Sequence, residues 1–134
     1  MGRIMELTKN QPPRTFQVGA DQQIQMTDCA RIELKPNEQV TFVTESGNEY
    51  DVARTDFGYY ATPSLNGRLR EHGFRAVLTK NSHGRFYVML VEQGKEDAFD
   101  RYLSTQDMEV VCRLDDDEVL AQLEQAISGR NMRV

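Results

Sequence analysis

Apolar and polar residues alternate from Cys29: Ala30, Ile32 and Leu34 face one way, Arg31 and Glu33 the other. That period of two predicts a half-buried strand over 29–34. Lys35-Pro36-Asn37-Glu38 reads as a turn, with Pro36 at its second position. Two further β-rich runs follow, over 39–44 and 49–55, separated by the turn Glu45-Ser46-Gly47-Asn48. The three runs predict an antiparallel meander. Phe57–Ala61 is a short aromatic strand. Thr62 then fits a helix N-cap, Pro63 the first helical position, and Gly73 the position just past the end. Leu65 and Leu69 lie four apart, so a helix is expected over 63–72 with both on its inner face.

The second half has a simpler pattern. Strands are expected over 74–80, 85–92 and 108–114, and helices over 95–104 and 115–128. The helical inner faces carry Ala98, Phe99, Tyr102 and Leu103 in the first, and Val119, Leu120, Leu123, Ala126 and Ile127 in the second. RFYVMLVE is apolar on both faces, which predicts a strand in the centre of its sheet. From Phe57 the order is strand, helix, strand, strand, helix, strand. That is the βαββαβ order of a ferredoxin-like sandwich. The fold expected is α+β: an N-terminal antiparallel meander, a ferredoxin-like unit and a C-terminal helix. The runner-up is a small β-barrel flanked by helices.

At 134 residues the chain is one domain in size. Pro12-Pro13 and the glutamines Gln11, Gln17, Gln22 and Gln23 give residues 1–27 the look of a flexible arm. The single α+β domain is expected over 28–129, with 130–134 as a tail.

Charge narrows the partners. The net charge is -5, which argues against binding nucleic acid by phosphate neutralisation. No apolar run approaches a membrane span, so no membrane partner is expected. The polar residues from Lys9 to Arg14 interrupt any signal-peptide core, and the expected location is cytoplasmic. Cys29 and Cys112 read as free thiols within strands. No Cys-x-x-Cys exists and His72 and His83 lie far from either cysteine, so no metal and no cofactor are expected. In Asp115-Asp116-Asp117-Glu118 the acids cap a helix and complement its dipole rather than cage a cation.

The charge is also unevenly placed. Acids exceed bases by eight over 92–126, whereas bases exceed acids by four over 54–85. The basic stretch overlaps the segment GNEYDVARTDFGYYATPSLNGRL, which concentrates the candidate ligand-binding residues Arg54, Asp56, Tyr59, Tyr60, Thr62, Ser64, Asn66 and Arg68. Arginine offers a planar two-point contact to phosphate or carboxylate. Tyrosine offers a stacking face and a hydroxyl. A helix opening at Thr62-Pro63-Ser64 would present N–H groups to an anion. The competing reading has Tyr50, Phe57 and one of Tyr59 and Tyr60 in the core, with the polar residues ending strands.

This segment, followed by FYVMLVE, resembles small uncharacterised bacterial proteins associated with surface-glycan or nucleotide-sugar gene sets. The likeness spans roughly residues 40–115. It implies a bacterial cytoplasmic protein with a sugar-pathway role and assigns no catalytic residue. Three functions stand open. One is a binding or regulatory module for an anionic small molecule or a protein partner. Another is a small isomerase, lyase or transferase using Asp56, Tyr59 or Tyr60, and His72 as acid/base groups. The third is an assembly protein that takes no ligand, for which a homodimer would be one form.

Overall fold

A computed structural model describes residues 5–128. The chain is α+β, with eight strands in three antiparallel sheets and three helices among those residues. The tail expected over 130–134 and the cap expected at Gly129 lie outside the described residues.

Strands β1 (Glu6–Val18) and β2 (Ile24–Glu33) form a long two-stranded arm. The flexible arm expected over 1–27 is thus ordered as strand from Glu6 to Val18. Strand β2 starts earlier than the alternation around Cys29 suggested, and it pairs with β1, not with the next strand. Pro12 and Pro13 do not prevent this pairing. The register shifts between Lys9 and Arg14, so the prolines sit where no ladder N–H is called for.

Strands β3 (Gln39–Val43), β4 (Glu49–Thr55) and β5 (Gly58–Ala61) make the meander. The turn before it forms as expected: the Glu38 N–H donates to the Lys35 carbonyl, and Asn37 has a positive φ of 71°.

Helix α1 is only Arg68–Glu71, far shorter than the expected 63–72. Thr62 is not its cap; Gly67 stands there, with no side-chain capping bond. The Ser64 carbonyl instead accepts from Gly67 and Leu69, which makes 64–67 a turn. Leu69 is buried at 1 % exposure, whereas Leu65, at 40 %, faces solvent. Gly73 closes the helix at φ +95°, and a Cβ there would run into the Asn48 side chain.

Strands β6 (Phe74–Asn81), β7 (Phe86–Glu92) and β8 (Met108–Arg113) form the third sheet in the order β7-β6-β8. Helix α2 (Glu96–Thr105) links β7 to β8, and α3 (Asp117–Ala126) follows. The connection order matches the expected βαββαβ, but β5 pairs with β4 in another sheet. The four-stranded ferredoxin-like sheet therefore does not form. Nor do the meander and the third sheet share a ladder, so no barrel closes. The central strand is β6. Strand β7, expected at the centre, lies at an edge.

The core is small. Leu69, Phe74 and Ala76 form its buried cluster, with Tyr50, Leu90 and Leu114 packed around them, and Leu34, Val77 and Val91 are buried as well. The Tyr50 and Phe74 rings meet edge to face at 6.4 Å. Two polar joints fix the sheets and helices around this core. Glu92 accepts from Thr44 Oγ1 at 2.7 Å and Asn48 Nδ2 at 2.6 Å, tying the meander to the third sheet. Asp115 accepts from Arg75 Nε at 2.6 Å and from the Ala76 N–H at 3.1 Å. Asp116 caps α3 by accepting from Glu118 and Val119, the role expected of that acidic run.

Candidate functional site

The candidate residues of the meander are spread over both of its faces. Arg54 and Tyr59 stand opposite each other on β4 and β5, so they share a face. The guanidinium carbon lies 5.6 Å from the ring centroid, a cation–π contact. Arg54 Nη1 is buried with no hydrogen-bond partner. Tyr60 is opposite Ala53, on the other face. Asp56 is exposed in the β4–β5 turn.

The rest are dispersed further. Thr62 donates its N–H to the Asp51 carbonyl, and its hydroxyl is buried without a partner. Ser64 belongs to the turn before α1. Asn66 donates to Asp117 at 2.8 Å, which binds that turn to α3. Arg68 is exposed on a helix of four residues, too short to present an anion-binding end. Only Arg54 and Tyr59 are thus brought into contact. Of the aromatics expected in the core, Tyr50 is there, and burial pushes its hydroxyl pKa up. Phe57 is not, being 81 % exposed.

The acid/base set expected for an enzyme is not assembled either. His72 ends α1, and the carboxylate beside it is Asp51, with Nδ1 3.9 Å from Oδ2. Asp51 is buried and accepts from Thr41 Oγ1 at 2.6 Å. That carboxylate therefore joins β3 to β4.

A concave surface lies elsewhere, between the tip of the arm and the third sheet. This cleft, about 670 Å³, is lined by Val18, Ile24 and Met26 from the arm, Tyr87, Met89 and Met108 from the sheet, and Tyr102 from α2. Asn81, Ser82, His83 and Gln106 supply its polar rim. Gln106 is buried and latches the arm by accepting from the Ala20 N–H at 2.6 Å. Gly19, at φ +99°, permits that approach, since a Cβ there would lie 2.9 Å from Gln106 Oε1. The walls carry no Asp, Glu, Lys or Arg. They offer neither a charged clamp for an anion nor a carboxylate base. Three methionines and two tyrosines instead make an adaptable apolar surface.

Beyond this cleft the arm continues as an amphipathic ribbon. Leu7 pairs with Ile32, Phe16 with Met26 and Val18 with Ile24 on one face, where Lys9 opposite Ala30 and the ion pair of Arg14 with Asp28 stand between them. Thr8 with Arg31, Thr15 with Thr27 and Gln17 with Gln25 occupy the other. Leu7, Phe16, Met26 and Ile32 are exposed. The signal for this face was the alternation of Ile24, Met26, Ala30 and Ile32, which Asp28 interrupts and which Pro12-Pro13 and the glutamines obscured. Among the described residues no group of three or more His, Cys, Asp or Glu could hold a metal ion. No helix there is long and apolar enough to cross a membrane. Comparison with family models, curated proteins and solved structures finds no match for the chain.

Proposed function

We propose that this chain is an assembly protein, a subunit that acts by covering its apolar strand faces with other chains rather than by turning over a substrate. The observation that carries this is surface area. The chain exposes 10350 Å². A compact monomer of 15.4 kDa exposes roughly 7,200 Å². The ten terminal residues beyond 5–128 account for at most about 1,700 Å² of that figure, which leaves a surplus of about 1,450 Å². A standard stable interface covers roughly 800 Å² per partner. A two-stranded ribbon in water is marginal by itself, and Leu7, Phe16, Met26 and Ile32 stand exposed on one face of it.

A second reading, a module for a small anion, draws on the unpartnered Nη1 of Arg54 above Tyr59. The likeness to glycan-associated proteins would favour a sugar phosphate or nucleotide sugar there. Thermal unfolding separates the readings. An assembly gains stability by mass action, so its midpoint rises with protein concentration. A small-anion module instead has a midpoint independent of protein concentration and raised by phosphate or a nucleotide sugar. The assembly account predicts the first behaviour. The second behaviour alone would overturn it.

A further inference from the structure

Natural sheets guard their edges with charge, proline or a bulge, because an unguarded apolar edge pairs with another strand. The edges here differ in this respect. β8 carries Glu109 and Arg113, and a register shift against β6 twists it. β1 carries Lys9, Arg14, two prolines and its own register shift. β3 has only five residues, and Gln39 and Thr41 make two of the three positions on one of its faces polar. β7 has none of these devices. Its ladder with β6 is regular from Phe74–Glu92 to Lys80–Phe86, and no charge interrupts Phe86 to Val91. Phe86, Tyr87 and Val88 are 55 %, 46 % and 61 % exposed.

The strand also stands in the wrong place for its sequence. RFYVMLVE is apolar on both faces, the pattern of a strand with neighbours on both sides. In the single chain it has one neighbour. We infer that β7 pairs antiparallel with β7 of a second copy of this chain about a two-fold axis, joining two three-stranded sheets into one of six. This rests on the assembly reading above and names its partner.

A second copy is the occupant because the partner edge must meet apolar side chains on both faces. An edge with charge or polar groups on one face would desolvate them against Phe86, Tyr87 or Val88. Among the described edges β7 alone is apolar on both faces over more than four residues. A two-fold axis satisfies both copies at once. α2 already packs along Met89 to Glu92, as the residues lining the groove there show. The axis therefore passes near Tyr87. Phe86 then stands opposite Val88 of the second copy, an aromatic pair with a β-branched residue.

The test is sedimentation equilibrium of the full chain with Val88→Lys and Val88→Thr, joined to hydrogen exchange on the wild type. Val88 is exposed, so both variants should keep the wild-type circular dichroism. Val88→Lys should raise the dimer dissociation constant about tenfold or more, because it sets a charge into the paired strand. Val88→Thr, still β-branched, should leave it near the wild-type value. In the wild type, the β7 amides that do not bond to β6 should gain protection as protein concentration rises. Association unchanged in Val88→Lys, with β7 exchange indifferent to concentration, would overturn the pairing and leave the assembly reading intact. A wild type that is monomeric at every concentration would overturn both.

Discussion

Asp115 shows how much one side chain holds in this fold. It is 3 % exposed and bonds both the Arg75 guanidinium and the Ala76 N–H, fixing the start of α3 to β6. Burial pushes its carboxyl pKa up, but the Arg75 and Ala76 hydrogen bonds and the charges of Arg75 and Arg70 outweigh that and hold it below the ordinary value. Glu92 is also held low, by the hydrogen bonds from Thr44 and Asn48. Each group therefore binds protons less readily in the folded chain than in the unfolded one. The stability they contribute is fully present above the unfolded carboxylate values, near pH 4, and is lost as pH falls through the folded ones. Asp115→Asn should cost about 1–3 kcal/mol at neutral pH, a range that allows for the partial exposure of Arg75. Urea titrations at pH 7 and pH 3 check this: the gap between variant and wild type should shrink at the lower pH. An equal gap at both would mean that the ion pair is not what the variant removes. The acidic run announced the cap at Asp116, since capping is local and repeats in sequence. It did not announce the pairing of Asp115 with a residue forty positions away, which only the fold brings near.

At the scale of elements, most strands and the two long helices were legible, because each satisfies its pattern locally. Helix α1 was not. Thr62, Pro63 and Gly73 offered good ends, but Asn66-Gly67 lies between, and the chain spends 64–67 in a turn instead. Leu69→Ala should therefore cost about 2–5 kcal/mol, while Leu65→Ala should stay within about 1 kcal/mol. Denaturant midpoints of the two variants decide it, and equal losses would restore the longer helix. Sheet membership was the other loss. Period two says which face a residue takes but not which strand lies beside it. Hence β2 was given to the meander when it belongs to the arm, and β7 was put at the centre when it lies at an edge. On the arm, Phe16→Ser with Met26→Ser removes apolar surface without touching the core. It should leave the circular dichroism unchanged while weakening self-association in light scattering. Association as tight as wild type would place the contact off the arm's apolar face.

For the molecule as a whole, the meander and the third sheet pack around a core of few buried side chains, and the surface left over carries exposed apolar side chains on the strands. Composition could not reveal this. An apolar content of 39 % suits an adequate single core, and only the fold shows how much of it remains on the strands. The candidate site suffered in the same way. Arg54 and Tyr59 were identified and do meet, but the cleft under the arm went unforeseen, because its walls come from four separate parts of the chain. The central claim is that the chain covers these exposed apolar side chains with copies of itself. The most direct measurement is the solution mass of the wild-type chain by light scattering across a wide range of concentration. The account predicts a mass that rises with concentration to a whole multiple of 15.4 kDa. A mass that stays at that of one chain throughout the range would contradict it.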